Sequence, residues 1–367
     1  MRNWKQIAKL FVIGVKDFNY SQELRSFLKD FPVSGVALFN SPFDSPDNVW
    51  NNRDASLEAT FEFNQKILND VHFISADQEG GRVRRLRGAF LHLPAAQALA
   101  MACESPSSQQ KAFELYHLAA KQMTLAGIQL NFAPVCDLQT KESHNVIGDR
   151  SYGSDPQTVI DWAQRFCQAF RSGGVLTTLK HFPGHGPSTM DSHERAALIE
   201  KPLDEYWRED VNIFHQLMSS ANLLMTGHLS FPENPEQILS MSSQMIEGFL
   251  KNSPQRLPLI TDDLLSMKAV SHLKPWIRAF NAPYRFILLC GDLQKSFQAI
   301  EETIRHAEES VTICAHQQDL EKRIHQSERF LKTERSTLSF EKWKSEILSY
   351  ENQGNEILHQ LGLGHHA

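Results

Sequence analysis

The residues best equipped for chemistry lie in Lys180-His181-Phe182-Pro183-Gly184-His185-Gly186, with Asp191-Ser192-His193 a few positions on. This stretch directly follows the apolar, β-rich run Val175-Leu176-Thr177-Thr178-Leu179, which places Lys180 and His181 where a buried strand surfaces. Pro183 and the two glycines rule out a helix there. Three histidines, a lysine and an aspartate on one loop supply what acid/base catalysis or metal binding needs. In Asp191-Ser192-His193 the carboxylate and imidazole stand two residues apart, so both can face one side of an extended loop. An imidazole with an ordinary pKa of ~6.5 can give up a proton and take it back near neutrality, with Asp191 orienting the ring. Taken alone, the pair could equally be a solvated surface feature.

Other chemical groups close other apolar runs. Asp77 opens Asp77-Gln78-Glu79-Gly80-Gly81-Arg82, Asp137 ends Asn131-Phe132-Ala133-Pro134-Val135-Cys136-Asp137, His228 follows a sixth run, and Asp262-Asp263 follow Leu257-Pro258-Leu259-Ile260-Thr261. One aspartate of that last pair suits an N-cap, a role assigned to Asp263. Asp262 is then free to act as nucleophile, as partner to a developing cation, or as metal ligand.

What must hold these groups together is a repeating strand-helix chain. Strands are expected near Leu10–Gly14, Gly35–Asn40, His72–Asp77, Ile128–Ala133, Val175–Lys180, Leu223–Thr226, Pro258–Asp262 and Phe286–Cys290. Helical patterns separate them, as in the segment after Gly153, where Asp155 caps, Pro156 opens the first turn, and Val159, Trp162, Phe166 and Phe170 form an apolar stripe. Eight such units over about 300 residues suit a single-domain (β/α)8 TIM barrel, whose functional groups gather at the C-terminal ends of the strands. No GxGxxG or GxxxxGK[ST] element follows any strand, which removes support for a nucleotide-binding sheet. Helices are expected at Leu293–Glu309, Leu320–Thr333 and Phe340–Leu361, the last turning Trp343, Ile347 and Tyr350 inward. Residues 1–335 are assigned to the barrel and 336–367 to a C-terminal helical extension packed on or beside it.

With 367 residues, 41% of them hydrophobic, the chain can bury one large core or two modest ones. A formal charge of −6, from 37 basic and 43 acidic residues spread along the sequence, offers no nucleic-acid footprint and no polybasic membrane anchor. The first apolar run, Leu10 to Val15, is broken by Lys16 and Asp17 and is too short for a signal-peptide core or a membrane span. Cys103, Cys136, Cys167, Cys290 and Cys314 are scattered without paired spacing and read as free thiols in a reducing compartment. A cytoplasmic protein is expected, a monomer or weak dimer acting on a small or neutral partner.

Five motifs in order carry a more specific signal. Asp77 through Arg85, Asn131 through Asp137, Ile147-Gly148-Asp149-Arg150-Ser151-Tyr152-Gly153, Lys180 through Gly186 with Asp191-Ser192-His193, and Thr261-Asp262-Asp263-Leu264 together resemble the β-N-acetylglucosaminidases of glycoside hydrolase family 3. The resemblance runs from the first strand to about residue 330. It implies that Asp262 is the catalytic nucleophile, that His193 is the general acid/base, and that Asp191 is its dyad partner. It implies too that Asp77, Arg85, Arg150, Lys180 and His181 hold the N-acetylglucosamine ring, and that no cofactor is needed. Larger two-domain relatives take their acid/base from elsewhere, and this chain is too short to hold that second domain. The implied substrates are peptidoglycan turnover fragments, N-acetylglucosamine linked to 1,6-anhydro-N-acetylmuramic acid with or without peptide.

Three rivals stand beside that reading. A phosphorylase would exploit an uncharged acid/base that does not repel phosphate. A metal-dependent barrel hydrolase would use His181, His185, Asp191 and His193 as ligands, although the first strand lacks a His-x-His. A non-catalytic sugar-binding protein is the third, disfavoured because the nucleophile and dyad motifs are both intact.

Overall fold

The computed structural model describes residues 4–15, 20–39, 53–140, 146–188, 197–265, 273–309, 322–326 and 337–364. Eight parallel strands close into a barrel in sequential order. They are β1 (Phe11–Val15), β2 (Gly35–Leu38), β3 (Phe73–Ala76), β4 (Leu130–Asn131), β5 (Leu176–Phe182), β6 (Leu223–Thr226), β7 (Leu259–Thr261) and β8 (Tyr284–Leu289). Closure comes from β1 against β8, with Phe11 opposite Ile287 and Ile13 opposite Leu289. This is the (β/α)8 architecture expected from the alternating pattern. The strands fall inside or beside the expected runs; β4 is shorter than foreseen, and β5 runs two residues further, so His181 joins Lys180 in the strand itself.

Alternation along each strand sorts the core into two compartments. Val12, Ala37, Phe73, Leu130, Met225, Ile260, Phe286 and Leu288 fill the barrel interior, while Phe11, Ile13, Val36, Ile74, Ile287 and Leu289 pack outward against the helices. Phe73 and Phe286 meet edge to face inside, with centroids 5.4 Å apart. Gly35 makes room for that arrangement: a Cβ there would lie 2.5 Å from the Phe73 ring.

The helix over Pro156–Ser172 forms as its sequence dictates. Asp155 accepts from Thr158 N at 2.8 Å, and Val159, Trp162, Phe166 and Phe170 are all buried. Phe166 lies against Tyr116 of the neighbouring helix Pro106–Leu125, their centroids 4.8 Å apart. On the other side of that helix lies the C-terminal helix Phe340–Gln360. Trp343 donates its indole N–H to Leu125 O at 2.7 Å, and Gln122 donates to Ile347 O at 2.8 Å. Trp343 and Ile347 are buried and Tyr350 is half-buried, the inward-turned set expected of this helix. The helix expected at Leu293–Glu309 is present, whereas most of the one expected at Leu320–Thr333 lies outside the described residues. Among the described residues no helix is long and apolar enough to cross a membrane, and Cys103, Cys136, Cys167 and Cys290 are free and buried; Cys314 lies outside the described residues.

Candidate active site

The C-terminal ends of β3, β5 and β7 bring the chemistry-bearing residues together. Past β3 the chain makes a short hairpin, Gln78–Gly80 against Val83–Arg84, whose strands pair antiparallel. Asp77 and Glu79 stand two residues apart on this extended stretch, so their side chains share a face. Both meet Lys180 from β5: its Nζ lies 2.7 Å from Asp77 Oδ1 and 2.5 Å from Glu79 Oε1. Arg150, on the 3-10 turn Gly148–Arg150, joins Glu79 through two parallel hydrogen bonds, Nε to Oε2 at 2.8 Å and Nη2 to Oε1 at 2.9 Å. Arg85 reaches Asp77 Oδ2 at 3.4 Å and lies over the Phe39 ring. Four of the five expected sugar-binding residues, Asp77, Arg85, Arg150 and Lys180, therefore form one cradle.

The carboxylate partner of Arg150 is Glu79. Glu79 had been read only as part of a motif, and its two-residue spacing from Asp77 was the signal that could have found it. Burial works to neutralise Glu79, but the Arg150 and Lys180 charges and their hydrogen bonds outweigh it and hold the carboxyl far below the usual carboxylate range. Burial likewise disfavours the Lys180 ammonium, and Asp77 and Glu79 more than restore it, leaving its pKa raised. The cradle is thus a set of fixed charges.

His181, the fifth expected residue, faces a different partner. Its Nδ1 lies 2.7 Å from Asp137 Oδ2, and Asp137 Oδ1 also accepts from the backbone N–H groups of His181 at 3.2 Å and His185 at 2.7 Å. Asp137 is completely buried. Burial opposes its charge, but His181 and the His185 N–H prevail and hold its pKa below normal. An ionised carboxylate only accepts, so His181 Nδ1 carries a hydrogen and Nε2 points away from Asp137. No role was assigned to Asp137 from sequence, although a charged residue ending an apolar run was the visible signal.

The turn after Lys180-His181, whose peptide bond is cis, packs tightly. Tyr206 donates to Gly184 O at 2.7 Å, and a Cβ on Gly186 would lie 2.1 Å from Leu138 O. His185 is buried with Nε2 lacking a partner among the described residues, and burial pushes its pKa down to about 4. Below the turn Lys201 Nζ lies 2.9 Å from Asp210, whose carboxyl burial pushes up to about 6.

Asp262 follows β7 directly. Its backbone N–H donates to Thr226 O at 3.2 Å and its Oδ1 accepts from Asp263 N at 2.8 Å. Burial would raise its pKa, but His181 and His228 nearby, the Asp263 N–H and Lys180 pull it below normal, so the carboxylate is ionised near neutrality. Asp263 has a structural role: it accepts from Leu265 N at 3.0 Å and Cys290 N at 2.6 Å. His228 is committed to Ser240 Oγ and to Asp263 O. Arg82 pairs with Asp149 at 3.0 Å and Arg84 donates to Gly81 O, so neither belongs to the cradle. The expected dyad Asp191 and His193 lies outside the described residues. Among the described residues no group of three His, Cys, Asp or Glu could hold a metal ion.

Residues 4–318 match the glycosyl hydrolase family 3 N terminal domain. A beta-hexosaminidase from Actinobacillus pleuropneumoniae serotype 5b is 32% identical over 299 residues, covering 80% of this chain and 84% of that protein. One from Haemophilus influenzae is 29% identical over 296 residues, covering 79% and 82%. Among solved structures, a β-N-acetylhexosaminidase from Beutenbergia cavernae shares the fold, with TM-score 0.75 at 20% identity over 90% of this chain and 99% of that one.

Proposed function

The chain belongs to glycosyl hydrolase family 3, and on that premise we propose that it is a retaining exo-β-N-acetylglucosaminidase. Its substrates are non-reducing terminal β-linked N-acetylglucosaminides, chiefly peptidoglycan turnover fragments that join N-acetylglucosamine to 1,6-anhydro-N-acetylmuramic acid, with or without peptide. A role in recycling wall fragments in the cytoplasm follows from that substrate.

The observation that carries the reading is Asp262: a carboxylate kept ionised at the end of β7, electrostatically coupled to His181 and Lys180 of the polar mouth. Such a group can attack the anomeric carbon as the bond to the leaving oxygen breaks, giving a covalent glycosyl-enzyme. His193, oriented by Asp191, protonates the departing oxygen. It then takes a proton from the water that releases the sugar with retained configuration. Asp77, Arg85, Arg150, Lys180 and His181 hold the ring through its hydroxyls. The names of the relatives, beta-hexosaminidase, support the N-acetylhexosamine preference.

The test is the initial rate of p-nitrophenol release from its β-N-acetylglucosaminide by the wild-type chain and by Asp262→Ala. Release by the wild type and a fall of roughly 10³-fold or more in the variant is expected. A folded wild type that releases nothing refutes the reading. Repeating the reaction in phosphate buffer and identifying the sugar product distinguishes hydrolysis, which yields N-acetylglucosamine, from phosphorolysis, which yields its 1-phosphate.

A further inference from the structure

Counting hydrogen-bonding capacity in the cradle separates two carboxylates that the sequence places side by side. The Asp77 side chain is 22% exposed and that of Glu79 only 6%. Glu79 spends both oxygens on protein donors: Oε2 on Arg150 Nε, Oε1 on Arg150 Nη2 and Lys180 Nζ. Three of its roughly four lone-pair sites are thereby taken, and both oxygens are engaged by protein cations. Lys180 spends two of its three N–H groups on Asp77 and Glu79, leaving one. Arg150 spends Nε and one Nη2 hydrogen on Glu79 and one Nη1 hydrogen on Val146 O at 3.0 Å. One hydrogen on each terminal nitrogen then has no acceptor among the described residues. Without Glu79, three cations, Lys180, Arg150 and Arg85, would face the single carboxylate of Asp77.

We propose that Glu79 is a positioning residue: it locks Lys180 and Arg150 to one another so that each presents its remaining N–H groups to hydroxyls of the bound sugar. The inference rests on the site being an N-acetylglucosaminide pocket. Glu79 acts through its two partners and touches no reacting atom. A lysine ammonium rotates freely, so an acceptor at a fixed place is what converts its spare N–H into a directed one. The fork of Arg150 is planar, and two parallel bonds to one carboxylate fix that plane.

The experiment measures kcat and KM for wild type, Glu79→Gln and Glu79→Asp on p-nitrophenyl β-N-acetylglucosaminide and its 3-, 4- and 6-deoxy analogues. Glutamine keeps the volume but turns an amide NH2 against Arg150 or Lys180. Its KM on the full substrate should rise about tenfold or more, with a smaller change in kcat. At least one deoxy analogue that the wild type penalises should lose that penalty in the variant, because the N–H group that read the missing hydroxyl is no longer aimed. A lesion that merely loosened the fold would lower rates on all four substrates alike. Glu79→Asp keeps the charge but is one methylene too short to reach both partners, and it should show the same loss of discrimination in weaker form. Wild-type KM and wild-type deoxy penalties in a folded Gln or Asp variant overturn the inference while leaving the glycosidase reading intact. A wild type inactive on the full substrate overturns that reading, and this inference with it.

Discussion

Replacing Asp137 by asparagine tests the polar wiring of the site with almost no change of shape. The carboxylate is completely buried and receives His181 Nδ1 at 2.7 Å, His181 N at 3.2 Å and His185 N at 2.7 Å. Bonds of this kind, to a charged acceptor, contribute about 1.5–3 kcal/mol each, roughly twice their neutral counterparts. Asparagine keeps an oxygen for the two backbone donors at half strength and puts an NH2 against His181 Nδ1. The ring then relieves the clash by moving its hydrogen to Nε2. The net stability loss works out at about 2–3 kcal/mol, and a chain of this length should lose about 3 °C in unfolding midpoint. The changed hydrogen bond also alters how the His181 ring is held at the mouth of the barrel. One mismatched buried hydrogen bond should lower kcat/KM about 10–100-fold. The pH dependence supplies a check on sign. The Asp137 pKa is depressed in the folded state, so its contribution is present above the unfolded value of 3.8 and is lost as pH falls toward the folded one. The midpoint gap between the two proteins should therefore be full at pH 7 and shrink in acid below about pH 4. A scanning-calorimetry series with parallel initial rates makes the measurement. An Asp137→Asn protein with the wild-type midpoint, or with kcat/KM within about twofold of wild type, refutes the reasoning.

His185 gives a second pH prediction of its own sign. Burial holds its folded pKa at about 4 against an ordinary 6.5, so the unfolded chain takes up a proton that the native one refuses. Stability should fall by about 3 kcal/mol as pH drops from 6.5 to 4, and His185→Gln should flatten that slope in urea titrations; parallel curves for the two proteins would contradict the assignment. At the far end of the chain, Trp343→Ala removes a buried indole and its bond to Leu125 O. It should cost about 3–5 kcal/mol if the C-terminal helix unfolds together with the barrel, and an unchanged main unfolding transition would show that helix to be an independent appendage.

Much of this molecule is legible before any coordinate is known. Eight apolar runs separated by amphipathic stretches point to parallel strands with helical crossovers, because parallel neighbours need a crossover and a helix with one apolar stripe has to bury it. Their number suits a barrel; the closure itself appears only where β1 meets β8. Asp155 and Pro156 start their helix by purely local rules. That Asp77, Lys180 and Asp262 gather at one mouth also follows from sequence order, since each lies at or just past the C-terminal end of an apolar run that forms a parallel strand. What sequence order cannot express is which charge meets which. Glu79 is two residues from Asp77, yet only the approach of β5 and of the 3-10 turn at Gly148–Arg150 commits it to Lys180 and Arg150. Asp137 and His181 are 44 residues apart, and their pairing exists because adjacent strands bring them into register. Periodicity records the face a side chain takes and motif order records the end of the barrel it occupies. Partner choice among buried charges depends on distances of a few ångströms between separate elements, and in a low-dielectric interior such distances decide which groups stay ionised and which donors remain for a ligand.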